Sequence, residues 1–419
     1  MQSENMINLR VNKTPTTTTQ KFCNMLITSI MIISIILASW SPQAFSATTL
    51  TPDTELDMQE LNLQELSISI DEDMQAVAAG AQGPVKWHPG HYMMLVGGGK
   101  DSSWYMKQIY TELEAHSALR GLVIRYEWAE LEPTKGVYNF ASIDHHLAEL
   151  AKRNKRLIIL IETKSFGATE IRVPKYLQTA EYEGGVFAFG HSGSNVIDGY
   201  NIKLWNQNVF LRFAALTKAL GQHLNAHPYF EGAGLQESAL GTPIKPITST
   251  QVNTYYTNLL GINKHFRNNF PNTMSFQYLN FPRTYLSSLV NGLKAMGATL
   301  GCPDVFIQDP GLLFPGTKYS PKGIYPYYTE LSGAMPLAIQ IEKANYLNTK
   351  FDGSGYKPTV TELLNFAKQT LKVNYIFWTR SPGYYDDVLA MLRQKAQTSN
   401  LSGGLQSACP ASYGSCNTN

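Results

Sequence analysis

Two glutamates stand at the ends of apolar, strand-like runs, and little else in their surroundings explains them. Glu237 closes the run GAGLQE at residues 232–237, and Glu342 closes PLAIQIE at residues 336–342. In a parallel barrel all strand ends converge on one face, so carboxyls from distant strands can meet there. Two carboxyls about 5–5.5 Å apart can perform retaining glycoside hydrolysis, where one protonates the leaving oxygen and the other attacks the anomeric carbon. Each glutamate alone could instead form an ion pair at the barrel rim.

Other polar residues are predicted at the same face. Arg125 lies within an apolar run (LVIRY), where a guanidinium must pair with a carboxylate or face polar space. Glu162 ends the next run and could bind sugar hydroxyls or neutralise Arg125. Tyr278 and Asp309 also point toward this face. Asp309 is the chief rival carboxyl, so an acid pair of Glu237 with Asp309 stays open.

These residues need a scaffold of alternating strands and helices. Residues 121–166 contain a buried strand, a loop, an amphipathic helix and a second buried strand, which is a unit of parallel sheets. Eight strand-like runs alternate with helical segments, which predicts an α/β fold of the (β/α)8 TIM-barrel type. A doubly wound open sheet is the alternative. The runs are residues 91–97, 122–126, 156–162, 232–237, 274–279, 304–309, 336–342 and 373–380.

The loop after the second run carries the pattern W-x-x-L-E-P-x-x-G-x-Y-x-F. It resembles the loop after strand two in clan A glycoside hydrolases, which are retaining glycosidases on (β/α)8 barrels, with families 5 and 42 the most similar. The resemblance covers about residues 86–393. Because the clan places its acid/base after strand four and its nucleophile after strand seven, the resemblance implies Glu237 as general acid/base and Glu342 as nucleophile.

The same resemblance implies further roles and shows one departure. Arg125 would hydrogen-bond the nucleophile and keep it ionised, unless it forms a salt bridge with Glu162 instead. Trp378, at the end of the eighth run, would form the floor of the subsite for the reacting sugar, unless it is an ordinary core tryptophan. The clan commonly has Asn before its acid/base to bind the sugar 2-hydroxyl. Here Gln236 stands in that place and offers the same amide one methylene further out.

The chain ends suggest export. Two lysines precede an apolar run at residues 25–40, and the small-x-small site at 44–46 predicts a signal peptide over residues 1–46. An uncleaved membrane anchor is the alternative. Residues 47–85 are predicted to be an acidic flexible tether or pro-segment, since residues 51–83 hold eight acidic residues and no basic one. The barrel would span residues 86–398. A Gly/Ser-rich tail follows at 399–419, where Cys409 and Cys416 could close a disulfide loop.

Composition narrows the function classes. A net charge of +2 does not favour a nucleic acid or an anionic membrane as partner. No Cys/His spacing resembles a zinc site, and we expect neither a metal nor an organic cofactor. The sequence thus predicts a secreted or periplasmic retaining glycoside hydrolase that cleaves a β-linked glycan or oligosaccharide by double displacement. A non-catalytic carbohydrate-binding barrel is the alternative, and a barrel hydrolase that uses Asp309 is a third.

Overall fold

The computed structural model describes residues 83–191, 195–347 and 354–419. The predicted signal peptide and residues 47–82 of the predicted acidic segment lie outside the described residues. Eight parallel strands form a closed barrel in which each strand pairs with the next along the chain and the last pairs with the first. The predicted (β/α)8 barrel is therefore confirmed. The strands are β1 Gly90–Leu95, β2 Leu119–Glu127, β3 Arg156–Glu162, β4 Phe230–Glu237, β5 Met274–Tyr278, β6 Thr299–Cys302, β7 Leu337–Ile341 and β8 Tyr375–Thr379.

A helix follows each barrel strand and covers the outside of the barrel. Local sequence signals fix where several of these helices begin. Asn206 caps one helix by accepting hydrogen bonds from two backbone N–H groups, and Thr248 with Gln251 forms a capping box on the next. The helices of six residues or more are α1 Ser103–Ala115, α2 Ala141–Ala151, α3 Gln207–Leu224, α4 Ser249–Asn269, α5 Arg283–Ala295, α6 Ile324–Leu331, α7 Val360–Asn365 and α8 Tyr385–Leu392.

The core has two layers, one inside the barrel and one between the barrel and the helices, and alternate residues of each strand pack in one or the other. Tyr375 and Phe377 of β8 pack inside the barrel, whereas Ile376 and Trp378 pack between the barrel and the helices. Successive side chains of a strand point to opposite faces, so both faces of each strand are buried here. None of the helices in the described ranges has both the length and the apolar character needed to cross a membrane.

The sixth strand lies earlier in the chain than predicted. The run at 304–309 is a loop, and β6 is the four-residue segment Thr299–Cys302. Gly297, in a left-handed conformation (φ 68°), ends the preceding helical segment, and Pro303 follows β6. The residues that immediately follow strand six therefore differ from those expected, and Asp304 is among them.

The C-terminal segment closes the N-terminal end of the barrel. Cys416–Asn417 pairs in parallel with Val85–Lys86, and Cys409 and Cys416 are joined by a disulfide. The buried ring of Trp87 donates from Nε1 to the carbonyl of Ser407 at 2.8 Å and meets the ring of Tyr413 edge-on. The tail is thus part of the packed barrel domain. Cys302 is a buried free thiol.

Candidate active site

The inside of the barrel changes from apolar to polar toward the C-terminal ends of the strands. Along β2, Val123 packs in the inner core and Arg125 follows two positions later. Along β7, Ala338 lies in the same core, and Gln340 and then Glu342 follow at the same spacing. Arg125 Nη2 donates to Gln340 Oε1 at 3.2 Å, which joins the two strands inside the barrel. This polar mouth is the candidate site.

Glu342 directly follows β7 and is half-buried. Gln340 Nε2 donates to Glu342 Oε2 at 3.1 Å, and the Glu342 backbone N–H donates to Asn345 Oδ1 at 2.8 Å. Burial raises the pKa of the Glu342 carboxyl, the charge of Arg125 opposes that rise, and the charge of Glu237 adds to it. Glu342 therefore stands among polar partners at the C-terminal end of β7, the same end of the barrel at which Glu237 closes β4.

Arg125 reaches Glu342 through an intermediary. Its Nη1 donates to Glu162 Oε1 at 3.3 Å and its Nη2 to Gln340, which in turn donates to Glu342. The hydrogen bonds found for Arg125 do not include the expected direct one to Glu342. The alternative prediction, a salt bridge between Arg125 and Glu162, is correct.

Glu162 holds two guanidinium groups. Its Oε1 accepts from Arg125, and its Oε2 accepts from Arg172. Arg172 also pairs with Glu127 and Glu170, each at 3.1 Å. Because both carboxylate oxygens are engaged by cations, the placement favours the neutralising role over direct binding of sugar hydroxyls.

Glu237 ends β4 and accepts a hydrogen bond on each oxygen. Lys164 Nζ donates to Oε1 and Asn280 Nδ2 to Oε2, both at 2.6 Å. The buried Lys164 ammonium also lies 4.9 Å from the ring centroids of Phe166 and Phe189. A carboxyl that accepts on both oxygens, once from a cation, has the bonding pattern of a carboxylate. Lys164 and Asn280 were not predicted as site residues, because each lies in a loop two residues after the end of a strand and belongs to no recognised motif.

Gln236 ties β4 to the end of β3. Its Oε1 accepts from the backbone N–H groups of Thr163 and Lys164, both at 2.7 Å, and its Nε2 donates to the Lys164 carbonyl at 3.0 Å. A carbonyl oxygen has two lone pairs, and both are used here. The expected contact of Gln236 with a sugar hydroxyl does not fit this placement.

Trp378 is not in the mouth of the barrel. It is fully buried in the layer between the strands and the helices, where its Nε1 donates to His91 Nδ1 at 3.0 Å. The expectation that Trp378 forms the floor of a sugar subsite is therefore wrong, and the alternative of a core tryptophan is correct.

Tyr278 lies inside the barrel beneath the carboxyls. Its ring packs in the inner core, and its buried hydroxyl has no hydrogen-bond partner among the described residues. Burial raises the pKa of Tyr278 well above its usual value, with the charge of Arg125 opposing and those of Glu342 and Asp304 adding. Tyr278 thus faces the site, as expected, although it is almost inaccessible to solvent.

Asp304 is the carboxyl that the sequence reasoning missed. It follows β6 by two residues and is half-buried, and Asn345 Nδ2 donates to its Oδ1 at 3.1 Å. Burial raises the pKa of Asp304 to about 7; the charges of Glu342, Glu237 and Asp309 add to this, while the Asn345 hydrogen bond opposes it. Pro303, read as a strand terminator, was the available signal.

Asp309 has a structural contact in the loop after β6. Its Oδ1 accepts from the backbone N–H groups of Gly311 and Leu312 at 2.7 and 2.8 Å, which stabilises the turn. Asp309 was expected at the end of strand six as the rival to Glu342 in an acid pair with Glu237. Because β6 ends at Cys302, the carboxyl close to that strand end is Asp304, and Asp309 lies further along the loop. Within the described ranges, no group of three or more His, Cys, Asp or Glu side chains is arranged to hold a metal ion.

No family model and no curated protein matches this sequence. Among solved structures, the catalytic domain of the β-amylase from Paenibacillus polymyxa matches with a TM-score of 0.51 and 8% identity, over 73% of this chain and 98% of that one. At this identity the similarity shows the fold alone. The fold is thus one found in glycoside hydrolases.

Two further structures match with TM-scores below 0.5. The β-galactosidase from the psychrophilic Marinomonas ef1 has a TM-score of 0.46 and 9% identity, over 69% of this chain and 54% of its own. The endo-glycoceramidase II from Rhodococcus sp. has a TM-score of 0.47 and 11% identity, over 72% of this chain and 76% of its own.

Proposed function

We propose that this protein is an exported retaining glycoside hydrolase that cleaves a β-linked glycan or oligosaccharide. One observation carries the proposal. Glu237 ends β4 and Glu342 directly follows β7, so both carboxyls stand at the C-terminal ends of barrel strands, where Lys164 and Asn280 hold Glu237 and Gln340 holds Glu342. Paired carboxyls at the C-terminal face of a (β/α)8 barrel are suited to acid–base and nucleophilic chemistry at an anomeric centre.

In this proposal Glu342 is the nucleophile and Glu237 the acid/base. Glu342 attacks the anomeric carbon to form a glycosyl-enzyme, and Glu237 first protonates the leaving oxygen and then removes a proton from the attacking water. Arg125, by its charge and through Gln340, favours the ionised form of Glu342. The reaction needs no cofactor.

Two exposed aromatic rings beside Glu237 suit a carbohydrate substrate. Phe166 is 65% exposed and lies next to Lys164, and Phe281 is 38% exposed and directly follows Asn280. The C–H faces of sugars pack on aromatic rings. We assign to these rings the substrate contact that the buried Trp378 does not make.

Export rests on the predicted signal peptide and on the Cys409–Cys416 disulfide. Disulfides persist in oxidising compartments and are rare in the cytosol. We propose a secreted or periplasmic location, which fractionation of the producing cells would test.

The test of the activity is covalent trapping. The protein is exposed to a panel of 2-deoxy-2-fluoro glycosyl fluorides of β-linked sugars, and its peptides are examined by mass spectrometry. A single glycosyl adduct on Glu342 is expected. Glu237→Gln and Glu342→Gln should each lose turnover, while the control Glu114→Gln, at a carboxyl on α1 that is 54% exposed and remote from the site, should keep it.

A non-catalytic carbohydrate-binding barrel is the second candidate. The ion pair between Glu237 and Lys164 favours it, because a carboxylate held by a lysine is a poor proton donor. Glycan binding without an adduct, together with unchanged binding in Glu342→Gln, would establish this alternative and end the enzyme assignment.

A further inference from the structure

The leaving group of the proposed reaction lies beside the acid/base. Glu237 protonates the leaving oxygen, so the side chains around Glu237 line the space that the leaving group occupies. The two residues that hold Glu237, Lys164 and Asn280, are each within two positions of an exposed phenylalanine, Phe166 and Phe281. What this space can bind therefore depends on which of these groups are still available to contact a ligand.

Phe166 is exposed and yet held in place beside Glu237. Its ring centroid lies 4.9 Å from Lys164 Nζ, and that ammonium lies 2.6 Å from Glu237 Oε1. Its ring also meets the buried ring of Phe189 edge-on, with the centroids 6.1 Å apart. Phe189 is itself tightly packed, since a Cβ at Gly199 would lie 2.7 Å from its Cζ. Phe166 therefore has a fixed support and presents its outer face to solvent.

Phe281 adjoins the residues that hold the second oxygen of Glu237. Asn280 donates to that oxygen, Oε2, and its own Oδ1 accepts from the Phe281 backbone N–H at 2.8 Å. The Phe281 carbonyl accepts from Ser238 Oγ at 2.8 Å, which ties it to the residue after Glu237. A Cβ at Gly311 would lie 3.3 Å from Phe281 Cζ, so the ring reaches the loop after β6. The two phenylalanines are thus linked to different oxygens of one carboxyl.

The polar side chains next to Glu237 already have partners within the protein. Lys164 Nζ donates to Glu237 and to the Ala239 carbonyl, the latter at 2.8 Å. Asn280 Oδ1 accepts from two backbone N–H groups, and Ser238 Oγ donates to a backbone carbonyl. A sugar on the leaving side would find these groups engaged, and its hydroxyls would lose water without compensation. The exposed phenylalanine rings, in contrast, gain by being covered with apolar atoms.

We propose that Phe166 and Phe281 line a leaving-group subsite for an apolar aglycone, an alkyl or aryl group, so that the bond cleaved joins a glycan to that aglycone. This inference rests on the proposed function and names the chemical class of the half of the substrate that leaves. Each methylene group buried against such rings favours binding by about 4-fold in affinity. The contact with the aglycone therefore determines specificity without taking part in the chemistry.

The first test measures kcat/KM for propyl, butyl, pentyl and hexyl β-glycosides of the sugar identified by trapping. These alcohols are leaving groups of nearly equal acidity, so a rise with chain length measures contact with the chain. We expect a rise of about 2- to 4-fold for each added methylene in the wild type and a nearly flat series in Phe166→Ala and Phe281→Ala. Phe166→Leu should keep part of the slope, because leucine still offers apolar surface.

Leu401→Ala is the matched control for the loss of an exposed apolar side chain. Leu401 is 70% exposed, and its carbonyl lies beside Gly90 at the start of β1, so it stands at the opposite end of the barrel. It should keep the full dependence on chain length. Phe166 and Phe281 are both partly exposed, and thermal unfolding curves will show that their variants are folded.

A second test uses the trapped glycosyl-enzyme, whose leaving-group subsite is empty. An alcohol bound there attacks the anomeric carbon, the ester bond to Glu342 breaks, and Glu237 takes the alcohol proton. Loss of the adduct, followed by mass spectrometry, should be about 10-fold or more faster with hexan-1-ol than with methanol at equal concentration. Phe166→Ala should abolish this difference, whereas Leu401→Ala should retain it.

A flat series of alkyl glycosides in the wild type would overturn the inference. So would faster loss of the adduct with a sugar acceptor than with hexan-1-ol, which would show that the rings pack on a sugar. Both results leave the Glu342 adduct in place, so the proposed function would survive them. Absence of the adduct would instead end the proposed function, and this inference with it.

Discussion

Gln340 is the residue that connects the guanidinium of Arg125 to the carboxyl of Glu342. It accepts from Arg125 and donates to Glu342, and its side chain is nearly inaccessible to solvent. A neutral amide between an arginine and a glutamate keeps the pair connected without bringing the two charges into contact. The affinity of Glu342 for a proton therefore depends on Gln340 as well as on Arg125.

Gln340→Met should move the acidic limb of the activity profile to higher pH. The hydrogen bond from Gln340 lowers the pKa of Glu342, so its loss raises that pKa, and the nucleophile becomes protonated at a higher pH. The pH dependence of kcat/KM checks this, with Gln369→Met on an exposed site as control. An unchanged acidic limb would show that Glu342 does not govern it.

The C-terminal ends of strands β3 and β4 are joined by the Gln236 side chain in addition to the backbone hydrogen bonds between the strands. Gln236 satisfies the backbone N–H groups of Thr163 and Lys164 just beyond β3. Lys164 is in turn the partner of Glu237. The length of the Gln236 side chain thus sets the position of the backbone after β3, and with it the position of the Lys164 ammonium beside Glu237.

Gln236→Asn introduces the residue that clan A glycoside hydrolases commonly have before their acid/base. In this protein we expect the substitution to lower both stability and activity. Asn is one methylene shorter and cannot reach both N–H groups, and a buried donor left without a partner costs about 1–3 kcal/mol. We expect a loss of free energy of unfolding of that order and a lower kcat, measured by urea unfolding and steady-state kinetics. Higher activity with unchanged stability would mean that position 236 binds substrate directly.

The alternation of elements could be predicted from sequence, but the direction of individual side chains could not. Both faces of β8 are buried, so its residues are apolar on either side and the pattern does not show which side faces inward. Phe377 faces the barrel interior and Trp378 faces the helices. Strand β6 is short and contains Gly301, while the loop after it is more apolar, so the hydrophobic pattern selected the loop. The carboxyls Glu237 and Glu342 were found because the ends of β4 and β7 were placed correctly, and Asp304 was missed because the end of β6 was not.

At the scale of the whole molecule, the two ends of the barrel carry different polar networks. The network at the N-terminal end centres on Glu231, which is fully buried. Glu231 pairs with His88 through the His88 backbone N–H and Nδ1, each at 2.7 Å, and accepts from the Tyr375 hydroxyl at 2.8 Å. Residues at this end of a (β/α)8 barrel serve stability, since the reacting groups lie at the other end.

Glu231→Ala should destabilise the protein by about 3–5 kcal/mol without changing kcat, because it leaves buried partners unpaired. Burial alone would raise the pKa of Glu231, but the hydrogen bond and charge of His88, helped by Arg156 and Tyr375, lower it. Its contribution to stability is therefore complete above the unfolded pKa of about 4.3 and is lost as the pH falls through the folded pKa. Unfolding curves from neutral to acidic pH should show the two proteins converging.

The surface variant Glu114→Ala provides the comparison, since Glu114 is 54% exposed and its pair with Arg153 should contribute at most about 1 kcal/mol. A Glu231→Ala protein as stable as Glu114→Ala would show that the buried network adds nothing to stability. A loss of kcat at temperatures where the variant is folded would show that the two ends of the barrel are coupled.

The parallel pairing of Val85–Lys86 with Cys416–Asn417 brings the two ends of the barrel domain side by side, under the end of the barrel remote from Glu342. A short peptide could therefore connect residues 417 and 85. If the chain were then cut in an exposed loop between a helix and the strand that follows it, the product would be a circularly permuted barrel. For the same reason, a support or a fused partner attached at residue 419 would lie at the end of the barrel opposite the polar mouth, and would leave that mouth open to solvent.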